Sequence, residues 1–206
     1  MGHLARSLGN LLQKHQHPEQ HKPVPGQPTR QPSTGNNPTQ EEMRDYLASQ
    51  AKEYGLPTDL VHAVAQTESS FHPSKIGHNR AWKDKRGRIH PASNDLGLMQ
   101  VNEAKIGEPV KDAKGHSFKI GKDIETDWRA NARAGVAILA GQYHLAELEQ
   151  GPGYSAQDRA QQAYAGYNGG EGRRDRYLRE RHDGLPRNDH DRHFLLNYQE
   201  ERLKKK

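Results

Sequence analysis

One glutamate stands where a carboxylate is least expected. Glu68 lies one helical turn after Val64 and two after Val61, so a helix opening near Pro57 points its side chain along the stripe of Leu60, Val61, Val64 and Ala65. Positions 64, 65, 71 and 72 are Val, Ala, Phe and His, so no Lys or Arg one turn away can hold the charge. A carboxyl that loses hydration without gaining a cation favours its protonated form, and its pKa rises. Moving it from about 4.3 to about 6 costs roughly 2 kcal/mol, within reach of partial burial. A carboxyl protonated near neutral pH is what a general acid requires. The plainer role for Glu68 is a hydrogen bond at a helix end.

A second acid follows. Asp95 sits in Asn94-Asp95-Leu96-Gly97-Leu98-Met99-Gln100-Val101-Asn102, after a charged, glycine-containing run from Trp82 to His90 that reads as a short hairpin. A helix ending in a glutamate, a small β excursion and then an aspartate sets two acids across a cleft. Glycoside cleavage uses such a cleft, one acid protonating the bond and often a second managing the cationic sugar.

The elements that position these groups are readable from the same patterns. Gly55 ends a preceding helix, Pro57 suits a first turn, and Thr58 or Asp59 offers a cap. Ser69 to Pro73 breaks the Glu68 helix, because the residue before a proline avoids helical angles. Thr39-Gln40-Glu41-Glu42 is a capping box for a helix running to about Tyr54. Pro109 to Ile120 reads as a second hairpin or an irregular loop, and Asp123 to Gln150 as the longest helix. In that helix Ala130, Ala134, Gly135, Ala137 and Gly141 permit close approach by a neighbour. Another helix starts at Ser155, carries Tyr164 and Tyr167 inward and ends at Gly169-Gly170. Asn188 or Asp189 caps the last, where Phe194, Leu195 and Tyr198 pack. The sum is an α+β domain, predominantly helical, with a small β-hairpin lobe.

Three segments, in order, carry a resemblance. Glu68-Ser69 with Phe71 and Pro73, then Ile76-Gly77-His78-Asn79-Arg80 and Asp95-Leu96-Gly97-Leu98-Met99-Gln100-Val101-Asn102, and finally Ala165-Gly166-Tyr167-Asn168-Gly169-Gly170, resemble the soluble lytic transglycosylase (goose-lysozyme-like) family. Within it the chain is most similar to the small specialised members that accompany secretion, conjugation and pilus systems. The resemblance runs from about Tyr46 to Tyr198 and implies a lysozyme-like fold. It further implies that Glu68 protonates the glycosidic oxygen between N-acetylmuramic acid and N-acetylglucosamine, then takes the proton from the muramoyl C6 hydroxyl as a 1,6-anhydro ring closes. Tyr167 would hydrogen-bond Glu68, Asn168 would shape the sugar site, and Ser69, Met99 and Gln100 would line the cleft, plain packing being the alternative for Met99. Asp95 either stabilises the cationic sugar or caps the Leu96–Val101 turn. The chain departs from the family pattern in two places: a basic insertion at Lys83–Arg88, and no Pro-x-Glu-Thr segment in Leu185-Pro186-Arg187-Asn188-Asp189.

Composition bounds the rest. At 206 residues and 23.3 kDa the chain suits one domain, residues 39–206, plus an appendage, residues 1–38. The appendage is rich in Pro, Gln and His and reads as extended and disordered, with Leu4, Leu8, Leu11 and Leu12 on one face of a candidate docking helix for a secretion-apparatus or virion partner. His15, His17 and His21 lie close together but lack a carboxylate or cysteine frame for a native metal site. No cysteine is present, which excludes disulfides and thiolate ligands, and neither a metal nor another cofactor is expected. A net charge of +5 and a pI near 9.3 favour polyanions, including wall polymer bearing carboxylates and phosphates. Without an aromatic-interleaved basic groove, nucleic acid is not an expected partner. No apolar run suits a transmembrane segment or a secretory signal, so action in the periplasm or cell wall implies delivery by lysis, a virion or a secretion apparatus. Two rival functions stay open: a hydrolytic muramidase using Glu68 with Asp95, and a non-catalytic wall-binding or structural component.

Overall fold

The structure is a computed structural model that describes residues 37–83, 87–111, 115–151, 153–180 and 189–204. All of these fall in Pro32–Lys206, one of the two units into which the chain divides. The candidate docking helix and the three N-terminal histidines lie outside the described residues.

Helix α1 (Gln40–Glu53) starts at the expected capping box, with the Thr39 hydroxyl accepting the Glu42 N–H and the Glu42 carboxylate accepting the Thr39 N–H. Helix α2 (Thr58–Ser69) buries Leu60, Val61, Ala63, Val64 and Ala65 completely. Its N-cap is Pro57, which offers no capping side chain, and the Asp59 carboxylate instead accepts the adjacent Leu60 N–H at 3.1 Å. The helix stops ahead of Pro73, at Ser70 and Phe71, whose φ values of 53° and 59° are both left-handed. Such angles cost non-glycine residues about 1 kcal/mol or more each. Burial of Phe71, with the Arg44 guanidinium 4.5 Å from its ring centre, offsets that cost and ends α2 one residue after Glu68.

The β lobe follows. Strands β1 (Ile76–Asn79), β4 (Ser93–Leu96) and β5 (Val101–Asn102) form an antiparallel sheet in the order β1-β4-β5. Its register sets Asp95 between Gly77 and Asn102. Between β1 and β4 lies the hairpin of β2 (Trp82–Lys83) and β3 (Ile89–His90), in the segment that carries the basic insertion. A second hairpin, β6 (Pro109–Lys111) with β7 (Ser117–Lys119), resolves the sequence's choice between hairpin and loop.

Helix α3 (Trp128–Glu149) is shorter than expected from the sequence. Lys122–Glu125 turns separately as a 3-10 helix, and the Asp127 carboxylate caps α3 by accepting the Arg129 N–H at 2.8 Å. Helix α4 (Ala156–Glu180) breaks at the expected place: Gly170 has φ 67° and ψ −166°, after which helical angles resume. Helix α5 (Asp189–Leu203) packs against α2 and buries Phe194, Leu195 and Tyr198. Deep in the α1–α2–α5 contact, Arg44 donates two bonds of 2.9 and 2.8 Å to Glu201, and His62 Nε2 lies 2.9 Å from the Arg44 carbonyl oxygen. His62 is thus structural. The whole is a predominantly helical α+β, lysozyme-like domain whose small sheet faces the α3–α4 pair across a groove.

Candidate active site

Glu68 borders a cavity of about 590 Å³ formed by the β lobe on one side and helices α3 and α4 on the other. Its Oε1 accepts a 2.9 Å hydrogen bond from the Tyr164 hydroxyl, a neutral donor. Burial drives its pKa up to about 7; the Tyr164 bond and the charges of Lys75 and Arg173 pull the other way, and the charge of Asp95 adds to the rise. Lys75 does not clamp the carboxyl: its ammonium donates to the Glu68 main-chain oxygen. The acid inferred from the apolar stripe is therefore present, half-buried at the cavity's edge.

The tyrosine that holds it is not the one expected. The Tyr167 hydroxyl donates instead to the Met99 carbonyl oxygen at 2.6 Å, and Tyr164, one helical turn earlier, reaches Glu68. Tyr164 is fixed by a face-to-face stack on Phe194, with ring centres 4.3 Å apart and planes 10° apart, so α5 sets the acid's partner from behind. Tyr167 remains beside the acids. Burial, followed by the charges of Glu68 and Asp95, raises its hydroxyl well above the ordinary tyrosine range. It stays a proton donor at any working pH.

Met99 belongs to a tight turn at the base of the groove. Asn131, fully buried on α3, accepts the Met99 N–H at 2.9 Å and donates to the Leu96 carbonyl oxygen at 2.7 Å. One side chain thus closes the chain between two residues of the turn. A Cβ on Gly97, whose φ is +72°, would fall 2.7 Å from the Asn131 side chain, so both conformation and space require glycine there. Replacing Asn131 with Ala leaves a buried N–H and a buried carbonyl unpaired; an expected loss of about 2–4 kcal/mol of stability is checked by denaturant unfolding. Unchanged stability would show that the turn closes without it.

Asp95 lies on the middle strand. Its Oδ2 accepts from Asn79 Nδ2 at 2.8 Å and its Oδ1 from Asn102 Nδ2 at 2.7 Å. Asn102 is its register partner on β5, and Asn79 lies two residues along β1 from its other partner Gly77, so strand alternation puts all three side chains on one face. Both oxygens act as acceptors. These amide contacts, rather than a cap on the Leu96–Val101 turn, are what the carboxylate engages.

The cavity brings Glu68, Asp95, Tyr167, Gln100 and Asn168 together. Gln100 donates to the Lys75 and Gly97 carbonyl oxygens, and among the described residues the buried Asn168 Nδ2 has no acceptor. Ser69 and Met99, expected on the cleft wall, lie beneath it. Ser69 is 1% exposed with its hydroxyl donating to the Ala65 carbonyl oxygen, and Met99 is completely buried, so its packing role holds. Sequence reasoning gave no site role to Tyr164, Asn131, Asn79 or Asn102. Asn79 and Asn102 stood in the motifs, but Asn131 is a single polar residue in an apolar helix face with no local signal. Among the described residues no group of three or more His, Asp or Glu is arranged to hold a metal ion, and no helix is long and apolar enough to cross a membrane.

A helical α+β domain with a sheet facing helices across a groove, and one desolvated carboxyl in that groove, is of the lysozyme-like class. Residues 45–189 match the transglycosylase SLT domain, and the chain belongs to that family. It is 30% identical over 124 residues to membrane-bound lytic murein transglycosylase C of Salmonella typhi, covering 59% of this chain and 29% of that protein. To the protein of the same name from Yersinia enterocolitica it is 32% identical over 122 residues, again 59% and 29%. The matches thus span less than a third of those relatives' length.

Proposed function

We propose that the chain is a peptidoglycan lytic transglycosylase that cleaves the β-1,4 bond between N-acetylmuramic acid and N-acetylglucosamine. The observation that carries this reading is Glu68: a carboxyl whose pKa is about 7, held by a neutral hydroxyl at the edge of a groove large enough for sugar rings. Near neutral pH it is protonated often enough to give its proton to the glycosidic oxygen. The bond from that oxygen to the muramoyl anomeric carbon then breaks, and the sugar ring carries positive charge. Glu68, now a carboxylate, takes the proton of the muramoyl C6 hydroxyl as that oxygen closes on the anomeric carbon. The donated proton stays on the leaving oxygen, the C6 hydroxyl reprotonates Glu68, and water is not consumed.

Asp95 gives the groove a second carboxylate, whose amide contacts hold it facing the developing cation. Tyr167 fixes the turn beneath the sugar through Met99, and Asn168 lines the groove beside it. Membership of the transglycosylase SLT domain family and likeness to the murein transglycosylase C relatives support the substrate and, with it, action at the cell wall. For residues 1–38 we infer a tethering or delivery role toward a secretion apparatus or virion, supported by motif likeness to the small specialised members.

The test is the pH dependence of sacculus clearing. The rate is expected to fall as pH rises through about 7, because the leaving oxygen needs the protonated acid. Tyr164→Phe removes a bond that lowers the Glu68 pKa, so that fall should move to higher pH while the absolute rate drops. A rate flat to pH 9, or a Tyr164→Phe profile that does not move, contradicts Glu68 as the acid. No clearing at any pH favours the wall-binding alternative.

A further inference from the structure

We propose that Trp82 and His90 form a stacking platform for a hexosamine ring of the glycan, on the wall that the β2–β3 hairpin adds to the groove; this rests on the reading of the groove as a glycan site. The two residues are register partners across the hairpin. Their rings lie face to face, with centres 4.2 Å apart and planes within 7°. Both border the same cavity as Glu68. Strand alternation sends their neighbours Lys83 and Ile89 to the other face, and neither of those borders the cavity.

Trp82 is 57% exposed, an unusual place for the largest apolar side chain. The stack on His90 fixes the indole plane before any ligand arrives, which lowers the entropy lost on binding. An indole face is electron-rich, and the C–H groups on the flat face of a hexosamine carry the complementary polarity. Arg80, on the same wall, adds a cation for the carboxylates of wall polymer. The occupant is a sugar rather than a protein partner, because the paired rings turn toward the acid's cavity while the hairpin's other apolar residue, Ile89, turns away.

The chain has two tryptophans, and Trp128 is buried at 6% exposure, so a change in fluorescence on ligand binding reports Trp82. The full chain carrying Glu68→Gln is titrated with a β-1,4 oligomer of N-acetylglucosamine, following emission and heat in parallel. Emission is expected to shift to shorter wavelength in step with the heat. Adding Trp82→Ala should weaken binding about tenfold, and Trp82→Phe by no more than about threefold. Circular dichroism confirms the fold, which an exposed residue of a two-residue strand does not hold up. Equal affinity with and without the Trp82 ring, or an emission unmoved at calorimetric saturation, overturns the platform. Wild-type clearing of sacculi separates the failures: clearing with unchanged Trp82→Ala affinity overturns the platform alone, whereas no clearing and no oligomer binding overturns the glycan-site reading with it.

Discussion

Glu68→Gln is expected to lower turnover of sacculi by about 10³-fold while making the folded protein more stable at alkaline pH. Both effects come from one cause. The unfolded chain releases the Glu68 proton near its ordinary value of 4.5, but the folded chain holds it until about 7. Between those values the unfolded state is favoured progressively, and above pH 7 the full cost, about 3 kcal/mol, is borne by the fold. A glutamine keeps the acceptor for the Tyr164 hydroxyl and removes the charge. The stability gap between variant and wild type should therefore be near zero at pH 4 and rise to about 3 kcal/mol at pH 8. Thermal or denaturant unfolding at both pH values checks this. A gap that does not change with pH would mean that Glu68 is solvated in the fold, and a variant that still turns over sacculi would remove it from the chemistry.

Gly135→Ala is expected to destabilise the protein and to slow the enzyme together, against the usual direction for a helical glycine. Alanine within a helix normally gains about 1 kcal/mol over glycine. Here a Cβ would stand 2.4 Å from Met99 Cβ and 2.8 Å from Met99 Cγ, with the Tyr167 hydroxyl at 3.1 Å. The clashing atoms sit at the root of a completely buried side chain, so they cannot swing aside, and overpacking of this kind costs about 1–3 kcal/mol. The displaced residue is the one whose carbonyl holds Tyr167 and whose N–H is held by Asn131. Unfolding temperature and turnover should therefore fall in the same variant. A rise in unfolding temperature would show that the turn yields and that helix propensity wins.

What the sequence disclosed about this site follows the range of the interactions. Glu68 was legible because one helix contains both the apolar stripe and the acid that violates it. The small sheet was legible as hairpins, and its asparagines stood in the motifs, but their convergence on Asp95 depends on strand register that no single segment encodes. The choice between Tyr164 and Tyr167 was not legible. Both lie on the inward face of one helix a turn apart, and Phe194, far along the chain, decides which hydroxyl meets the acid. Gly135 was seen as permission for a close neighbour, though not that the neighbour is Met99. Ser69 and Met99 looked like wall residues by position in their motifs, yet a helix end and a buried turn place them under the groove.

The most direct test is the mass of the products released from purified sacculi. The wild-type chain should leave muramoyl ends one water lighter than a hydrolase would, as 1,6-anhydro rings, and the Glu68→Gln chain should release almost none. Products carrying the extra water would make the enzyme a hydrolytic muramidase, and equal release by both chains would take the reaction away from the dry carboxyl altogether.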